Sequence, residues 1–452
     1  MIVIGSGMAG INSVVVAQEA GATVAVIERG RVGGTCPTRG CIPTKALIRS
    51  AEVAHEVARA AEFGIRVGAV EVDFGAVMAR VRAIIELGSN AARGYLESLE
   101  GVELVIGEAR LDGPAAVRVD GRRLEAPRIL IATGAAPRRP PIPGLESVSH
   151  LTSDDVLELR ELPRTITVIG GGPVALELGQ ALARLGAAVT MVEIQQRLLP
   201  GEEPELVEAL SGMLEEEGLR ILVGAAIDRV ERAPDGRPRL VGSHAGGPLT
   251  LDADALLVAT GRGPAVEALG LAEAGVAGGR GGIAVDARLR TSQPTVWAAG
   301  DVLGPPYGAF THVARRLGAE AARNALGIDP HDVDPDVGPR AVFTDPELVT
   351  VGLTETAARE AGHRVRIGTA PFSGGKARAW GEERGLVKVV AEEGTGRLLG
   401  AHILAYHGAD LIHPVLVAMH AGDGSGAPIL AAPHVHPTLG EKVRAAVESA
   451  VS

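Results

Sequence analysis

One unit occurs twice in this chain, and few folds can hold it. Residues 2–4 form a short apolar run, Gly5-Ser6-Gly7-Met8-Ala9-Gly10 follows, a helix-patterned stretch reaches about Ala20, and a second apolar run from Thr23 to Ile27 stops at Glu28. Residues 165–193 repeat the plan: Thr165–Ile169, then Gly170-Gly171-Gly172-Pro173-Val174-Ala175, a helical stretch to about Leu185, and Ala188–Val192 stopping at Glu193. In each copy the acid lies 23 residues beyond the first glycine. The first glycine (Gly5, Gly170) permits a tight turn, and the second (Gly7, Gly172) lets backbone N–H groups approach a pyrophosphate at the positive end of the helix. The third position (Gly10, Ala175) packs helix on strand, and the acid accepts hydrogen bonds from a ribose. A single G-x-G-x-x-G is weak evidence, and two unrelated glycine turns are the competing reading; two copies, each in strand–turn–helix–strand context with its acid, outweigh it.

The echo continues in Ile129-Leu130-Ile131-Ala132-Thr133-Gly134 and Leu256-Leu257-Val258-Ala259-Thr260-Gly261, matching ends of buried strands. Pro140-Pro141-Ile142-Pro143-Gly144 reads as a stiff linker. At about 150 residues per domain, 452 residues suggest three domains: two dinucleotide units and a third region after about residue 335. A 46% hydrophobic content supports a large core. A net charge of −11 argues against a nucleic-acid partner, which would be held through basic contacts to phosphate. No run of about 20 apolar residues suggests a membrane span, and Met-Ile-Val-Ile-Gly has no basic segment before it to mark a signal peptide. The expectation is a cytoplasmic protein.

Both cysteines lie in Gly33-Gly34-Thr35-Cys36-Pro37-Thr38-Arg39-Gly40-Cys41-Ile42-Pro43-Thr44-Lys45. In a regular helix, residues five apart are separated by about 8.6 Å between Cα atoms. A disulfide needs less than ~7 Å. The two can bond only where the backbone leaves the helix, and Pro37, Gly40 and Pro43 are the residues able to cause that. A reducible pair that shuttles electrons fits better than a structural staple, because so short a loop restrains the unfolded chain little. Zinc is disfavoured for want of a second cysteine pair, and two inert buried cysteines remain the alternative. Lys45 is the only lysine before residue 376. A chain that otherwise uses arginine there suggests that position 45 needs a compact ammonium, against chance survival of one lysine. His402, His407, His413, His420 and His434 crowd the tail without the spacing of a ligand set, so no metal is expected.

Taken in order, the chain resembles the class I pyridine nucleotide–disulfide oxidoreductases. The likeness rests on the Gly5 unit, Gly33-Gly34-Thr35-Cys36 through Cys41 to Lys45, the Gly170 unit with Glu177, and Ala259-Thr260-Gly261-Arg262. Ala298-Ala299-Gly300-Asp301 and His436-Pro437-Thr438-Leu439-Gly440-Glu441 complete it. The resemblance covers essentially the whole chain. It implies an α/β fold of two Rossmann-like domains, for FAD and NAD, with a C-terminal α+β dimerisation domain. The expected division is 1–145 (FAD, first segment), 146–270 (NAD), 271–335 (FAD and central, second segment) and 336–452 (dimerisation).

The same resemblance implies roles. Gly5, Gly7, Gly10, Glu28, Gly34, Thr35, Thr133, Gly134, Gly300 and Asp301 would hold FAD. Gly170, Gly172, Ala175, Glu193 and Gly261 would hold NAD. Cys36 would be the exchange thiol and Cys41 the thiolate beside the flavin, the two forming a redox disulfide. Lys45 would lie near the reactive flavin nitrogen, paired with Glu177. His436, oriented by Glu441, would act as acid and base for the thiols of the other subunit, which implies a homodimer.

Glu193 accepts from ribose hydroxyls and repels a 2′-phosphate, favouring NAD, while Arg197 nearby leaves dual use open. Within the family the likeness is nearest the dihydrolipoyl dehydrogenases. The substrate implied is a small-molecule or lipoyl-domain dithiol, most simply dihydrolipoamide, with a 2-oxoacid dehydrogenase-type complex as its macromolecular setting. A terminal cysteine pair, as mercuric reductases carry, is absent from the sequence. The alternative is an NAD(P)H-dependent reductase of another disulfide or of quinones. Pro173 stands near the expected nicotinamide site, where relatives often have a bulky side chain. Gly422–Pro428 is glycine-rich where relatives continue a helix, just ahead of His436.

Overall fold

Aliphatic runs too short to span anything alone assemble into parallel sheets covered on both faces. In the computed structural model, which describes residues 1–307, 310–335 and 338–452, the first sheet has the strand order Val296–Ala298, Ile129–Ile131, Ile2–Ile4, Val24–Glu28, Val102–Ile106. Ile2 lies opposite both Ala25 and Ile129 in register. Residues 2–4 and 129–131 are all buried, the continuous apolar pattern of a strand with no solvent face. Helix Met8–Glu19 lies against helix Thr311–Leu326, and an added Cβ on Gly318 would stand 2.0 Å from the Ala9 carbonyl oxygen. The three-stranded antiparallel sheet of residues 109–125 packs into the same core.

The second sheet runs Arg220–Leu222, Ala188–Val192, Thr165–Ile169, Ala255–Val258, all parallel. Its glycine turn needs the left-handed backbone: Gly170 has φ +122°, and a Cβ there would lie 2.6 Å from Ala259 O. Ala175, in the third position, is fully buried, so its methyl is accommodated at the helix–strand contact. The chain then returns to the first unit. Arg262–Pro264 pairs with Ala135–Pro137, and Val296–Ala298 joins the edge of the first sheet. The expected break between residues 335 and 336 falls partly outside the described residues.

The C-terminal sheet is antiparallel, in the order Arg340–Val342, Glu347–Gly352, Leu398–Ala405, Leu386–Glu392, Val365–Pro371. Alternation along its strands separates two faces. Val387, Val389, Ala401 and Ile403 face a core shared with helix Gly440–Val451, whereas Leu404 belongs to the core that contains the second unit. That second core also takes Leu47 and Ile48, Met78 and Val81, and Leu176 and Leu178, so helix Cys41–Ala58 is wedged where three units meet. Among the described residues no helix is long and apolar enough to cross a membrane.

Helix Gly440–Val451 can approach strand Val365–Pro371 only because Gly368 lacks a side chain: a Cβ would stand 2.0 Å from Ala446 O and 2.5 Å from the Ala450 nitrogen. Gly368→Val is therefore expected to push the helix outward and to destabilise the chain by about 2 kcal/mol, an overpacking penalty. A thermal unfolding midpoint equal to that of the unmodified protein would contradict this contact.

A candidate dithiol site at a three-way junction

Helix Thr35–Arg39 ends at Gly40, whose φ −139° and ψ −118° leave the helical region, and helix Cys41–Ala58 begins at the next residue. The departure expected between the two cysteines is thus made at Gly40. Pro37 and Pro43 each sit in the first turn of a helix, where the missing N–H has no partner to lose.

Both cysteines are free thiols. Cys36 shares a hydrogen bond with Cys41, and Cys41 Sγ lies 3.3 Å from Thr311 Oγ1. The bond from Cys36 is the largest of the effects that bring the Cys41 thiol down to about 6; Thr311 and the Lys45 charge add to it, and partial burial opposes it. The same sharing, with burial, raises Cys36 well above the ordinary thiol range. One sulfur carries the proton and the other the negative charge.

Lys45 lies one helical turn beyond Cys41 and so on the same face. Its Nζ stands 2.6 Å from Glu177 Oε2 and 4.1 Å above the centre of the Phe343 ring. Glu177 Oε1 accepts a hydrogen bond of 3.0 Å from the Phe343 backbone N–H. The carboxylate is buried and ties helix Cys41–Ala58, helix Pro173–Arg184 and the segment after Arg340–Val342 together.

His436 and Glu441 also meet: His436 Nδ1 lies 2.9 Å from Glu441 Oε1, and Thr438 N donates to Glu441 Oε2 at 2.9 Å. These two bonds hold the Glu441 carboxyl below the usual carboxylate range. The His436 side chain is 77% exposed, and the groups acting most strongly on the two thiols do not include it. Within one chain the pair is assembled but not joined to the thiols. Within the Gly422–Pro428 segment, Gly422–Gly426 turn the chain from helix His413–His420, pinned by a Leu398 N–H bond to Gly424 O, and Ala427 and Pro428 open helix Ala427–Ala431.

The surroundings fit a flavin dinucleotide. Gly7 and Gly34 pack backbone to backbone, and a Cβ on Gly34 would lie 2.4 Å from Gly7 Cα. Helix Met8–Glu19 carries no side-chain cap, which leaves its first N–H groups for an anion. Glu28 already accepts from Ser6 N, Ser6 Oγ and Gly30 N, so a ribose would use its remaining lone pairs. Thr133 Oγ1 donates to Ala265 O, which holds the strand end beside Gly134 and Ala265. Burial raises the Asp301 carboxyl, against the pull of Arg262. Arg262 bonds Asp154 and Ala135 O, while its buried Nε finds no hydrogen-bond partner among the described residues.

The second turn fits a nicotinamide dinucleotide. Helix Pro173–Arg184 begins at Gly172 without a side-chain cap, and a Cβ on Gly172 would meet open space. Glu193 accepts from Gln195 N at 2.7 Å, and its side chain lies so close to the turn that a Cβ on Gly171 would stand 2.9 Å from Glu193 Cγ. Arg197 donates to Pro200 O within its own loop. Gly261, φ +106°, ends the neighbouring strand with nothing against it.

Thr311 and Phe343 were not singled out by the sequence, and Arg262 entered only as the last residue of a family motif, without a role of its own. Thr311 lies 270 residues from Cys41, and no local pattern announces it or Phe343. A role for Arg262 could have been found, since it closes the second of the matching strand ends. Among the described residues no three His, Cys, Asp or Glu side chains gather as a metal-ligand set.

Residues 1–325 match the pyridine nucleotide-disulphide oxidoreductase family and residues 338–447 its dimerisation domain. The chain belongs to this family: it is an FAD-dependent pyridine nucleotide–disulfide oxidoreductase that uses NAD(P)H, and its dimerisation domain supports a homodimer. It is 38% identical to a dihydrolipoyl dehydrogenase of Chlorobaculum tepidum, over 99% of this chain and 96% of that one. It is 38% identical to a mercuric reductase of Bacillus cereus, over 93% of this chain and 67% of the relative. A solved structure of the HOCl-induced flavoprotein disulfide reductase RclA from Escherichia coli superimposes with a TM-score of 0.88 at 30% identity, covering 99% of both chains.

The thiol geometry sets a pH dependence. With the Cys41 thiol down to about 6, the first thiolate of the reduced protein forms as pH rises through that value and is lost below it. Ultraviolet thiolate absorbance and the rate of alkylation should both follow this midpoint. Cys36→Ala removes the principal donor, and its midpoint is expected to move upward toward that of an ordinary thiol, about 8.5. An unchanged midpoint in that variant would show that Cys36 is not the cause.

Proposed function

We propose that this protein oxidises dihydrolipoamide, free or carried on a lipoyl domain, with NAD⁺, as a homodimer in which each site uses a histidine from the other subunit. The observation that carries the reading is the His436–Glu441 pair. A carboxylate on Nδ1 fixes the ring, leaving Nε2 of an exposed imidazole to take a proton from a thiol near neutral pH. Such a base has no thiol to serve within its own chain, which supports delivery across a dimer.

The sulfur steps balance on this chain's residues. A substrate thiolate attacks Cys36 Sγ of the oxidised pair, forming a mixed disulfide and releasing Cys41 as thiolate, while the proton passes to His436 of the partner subunit. The second substrate sulfur then displaces Cys36, closing the substrate disulfide, and its proton ends on Cys36. The products on the enzyme are a Cys36 thiol and a Cys41 thiolate, the protonation pattern favoured by the bond between them and by Lys45. FAD, when bound, supplies the route by which the two electrons reach NAD⁺. Glu193 supports NAD⁺ over NADP⁺, since its carboxylate repels a 2′-phosphate while Arg197 is engaged by Pro200 O.

The test is dihydrolipoamide-dependent reduction of NAD⁺ by the FAD-loaded protein, with NADP⁺ in parallel. Turnover with NAD⁺ is expected, abolished in Cys36→Ser and lowered by about 10²-fold or more in His436→Gln, the range for loss of a general acid–base. Flavin reduction by NADH alone should survive both substitutions. A flavin that NADH reduces in a protein without dihydrolipoamide turnover would move the substrate to another disulfide or a quinone.

A further inference from the structure

The loop that starts at the ribose-facing acid does not end in its own unit. From Glu193 the chain is held by bonds from Gly224 N to Gln195 O and from Ala225 N to Glu193 O. It then crosses the glycine turn, where Leu199 N donates to Gly171 O at 3.1 Å, and the buried Leu198 side chain leaves Gly171 no room for a Cβ. The loop closes on Glu202 and Glu203, and both are gripped by the C-terminal sheet.

Glu202 Oε1 lies 3.1 Å from Arg340 Nε, and its Oε2 accepts from Thr350 Oγ1 at 2.6 Å. Glu203 is 2% exposed; its Oε2 takes Lys388 Nζ at 2.9 Å and its Oε1 takes the Glu355 N–H at 2.6 Å. Lys388 also reaches Glu205 at 2.5 Å and Glu355 at 3.0 Å, so one ammonium holds three carboxylates. His402, directly opposite Lys388 in the sheet and fully buried, hydrogen-bonds Thr350 Oγ1 and lies 3.6 Å from Glu203. Burial opposes the Lys388 charge, but the carboxylates outweigh it and keep it protonated. Of the four lysines in the chain, Lys388 and Lys45 are the two that bond acids of the second unit.

Buried charges are fixed in place far more tightly than surface ones, because every departure leaves an unpaired ion. The grip at residues 202–203 is therefore passed through a short loop, anchored on the buried Leu198 and Leu199, to Gly171 and Glu193, the turn and acid that face the dinucleotide. We propose that the dimerisation domain sets the affinity for the nicotinamide nucleotide by holding this loop, with Lys388 and Arg340 as positioning residues. The proposal rests on reading the Gly170 unit and Glu193 as the nucleotide site, and it is independent of which disulfide is the substrate.

The experiment is anaerobic stopped-flow reduction of the bound flavin in the FAD-loaded dimer by NADH, which needs no disulfide substrate. Lys388→Met is expected to raise the apparent Kd for NADH by about tenfold or more while the limiting rate stays within about twofold. Lys388→Arg, which keeps the charge, should recover most of the affinity. Arg340→Gln, at the more accessible end of the grip, should raise Kd by about threefold, and it carries the test if Lys388→Met does not fold. An unchanged Kd in the folded variants overturns the proposal, and so does an equal loss of affinity and limiting rate, which would mark general damage. If the unmodified protein responds to NADPH alone, the reading of Glu193 fails, and the same titrations with NADPH decide the role of the loop.

Discussion

The Glu177 carboxylate is the interaction on which the rest of the site depends. A buried charge is stable only when paired, and breaking such a pair by removing one partner typically costs about 3–5 kcal/mol. Glu177 is satisfied by two groups that come from elsewhere: the Lys45 ammonium and the Phe343 N–H. The ammonium so held faces Cys41 from one helical turn away and helps to keep that sulfur as a thiolate. A carboxylate that touches neither sulfur thus adds, through Lys45, to the charge state that the bond between the two cysteines chiefly sets, and it does so only when three units of the chain are assembled.

Much of this was legible in the residues, for definable reasons. The doubled glycine unit reads clearly because close approach and φ > 0 permit almost nothing else at Gly5 and Gly170. The break between the cysteines was predictable, although the structure makes it at Gly40 and leaves the prolines inside helical first turns. Lys45 stood out by rarity, whereas the buried Lys388 is one of three lysines after residue 375 and nothing in its spacing marks it. The partners were beyond reach. Thr311, Phe343 and the Glu202–Glu203 grip are contacts between distant segments, set by how sheets pack, and no spacing rule records them. The placement of His436 and Glu441 together was visible as a motif, whereas the exposure of the ring was not.

A dihydrolipoyl dehydrogenase, a mercuric reductase and RclA all align over most of this chain at 30–38% identity. A scaffold common to proteins with such different names assigns the electron path more firmly than the substrate. In this chain the two cysteines at 36 and 41 are the only thiols, and His436, backed by Glu441, is an exposed imidazole just ahead of the last helix.

A second buried seam joins the same units. Arg184 is 5% exposed and sits between Glu217, at 2.7 Å, and Asp345, at 2.9 Å, with Gln180 bonded to the Asp345 backbone beside it. Arg184 and Glu217 belong to the second unit and Asp345 to the C-terminal one. Neither unit could detach in water without exposing a charge arrangement built for the other. Parting these two units therefore costs more than their apolar contact alone, because it strips buried charges of the partners that only the other unit supplies.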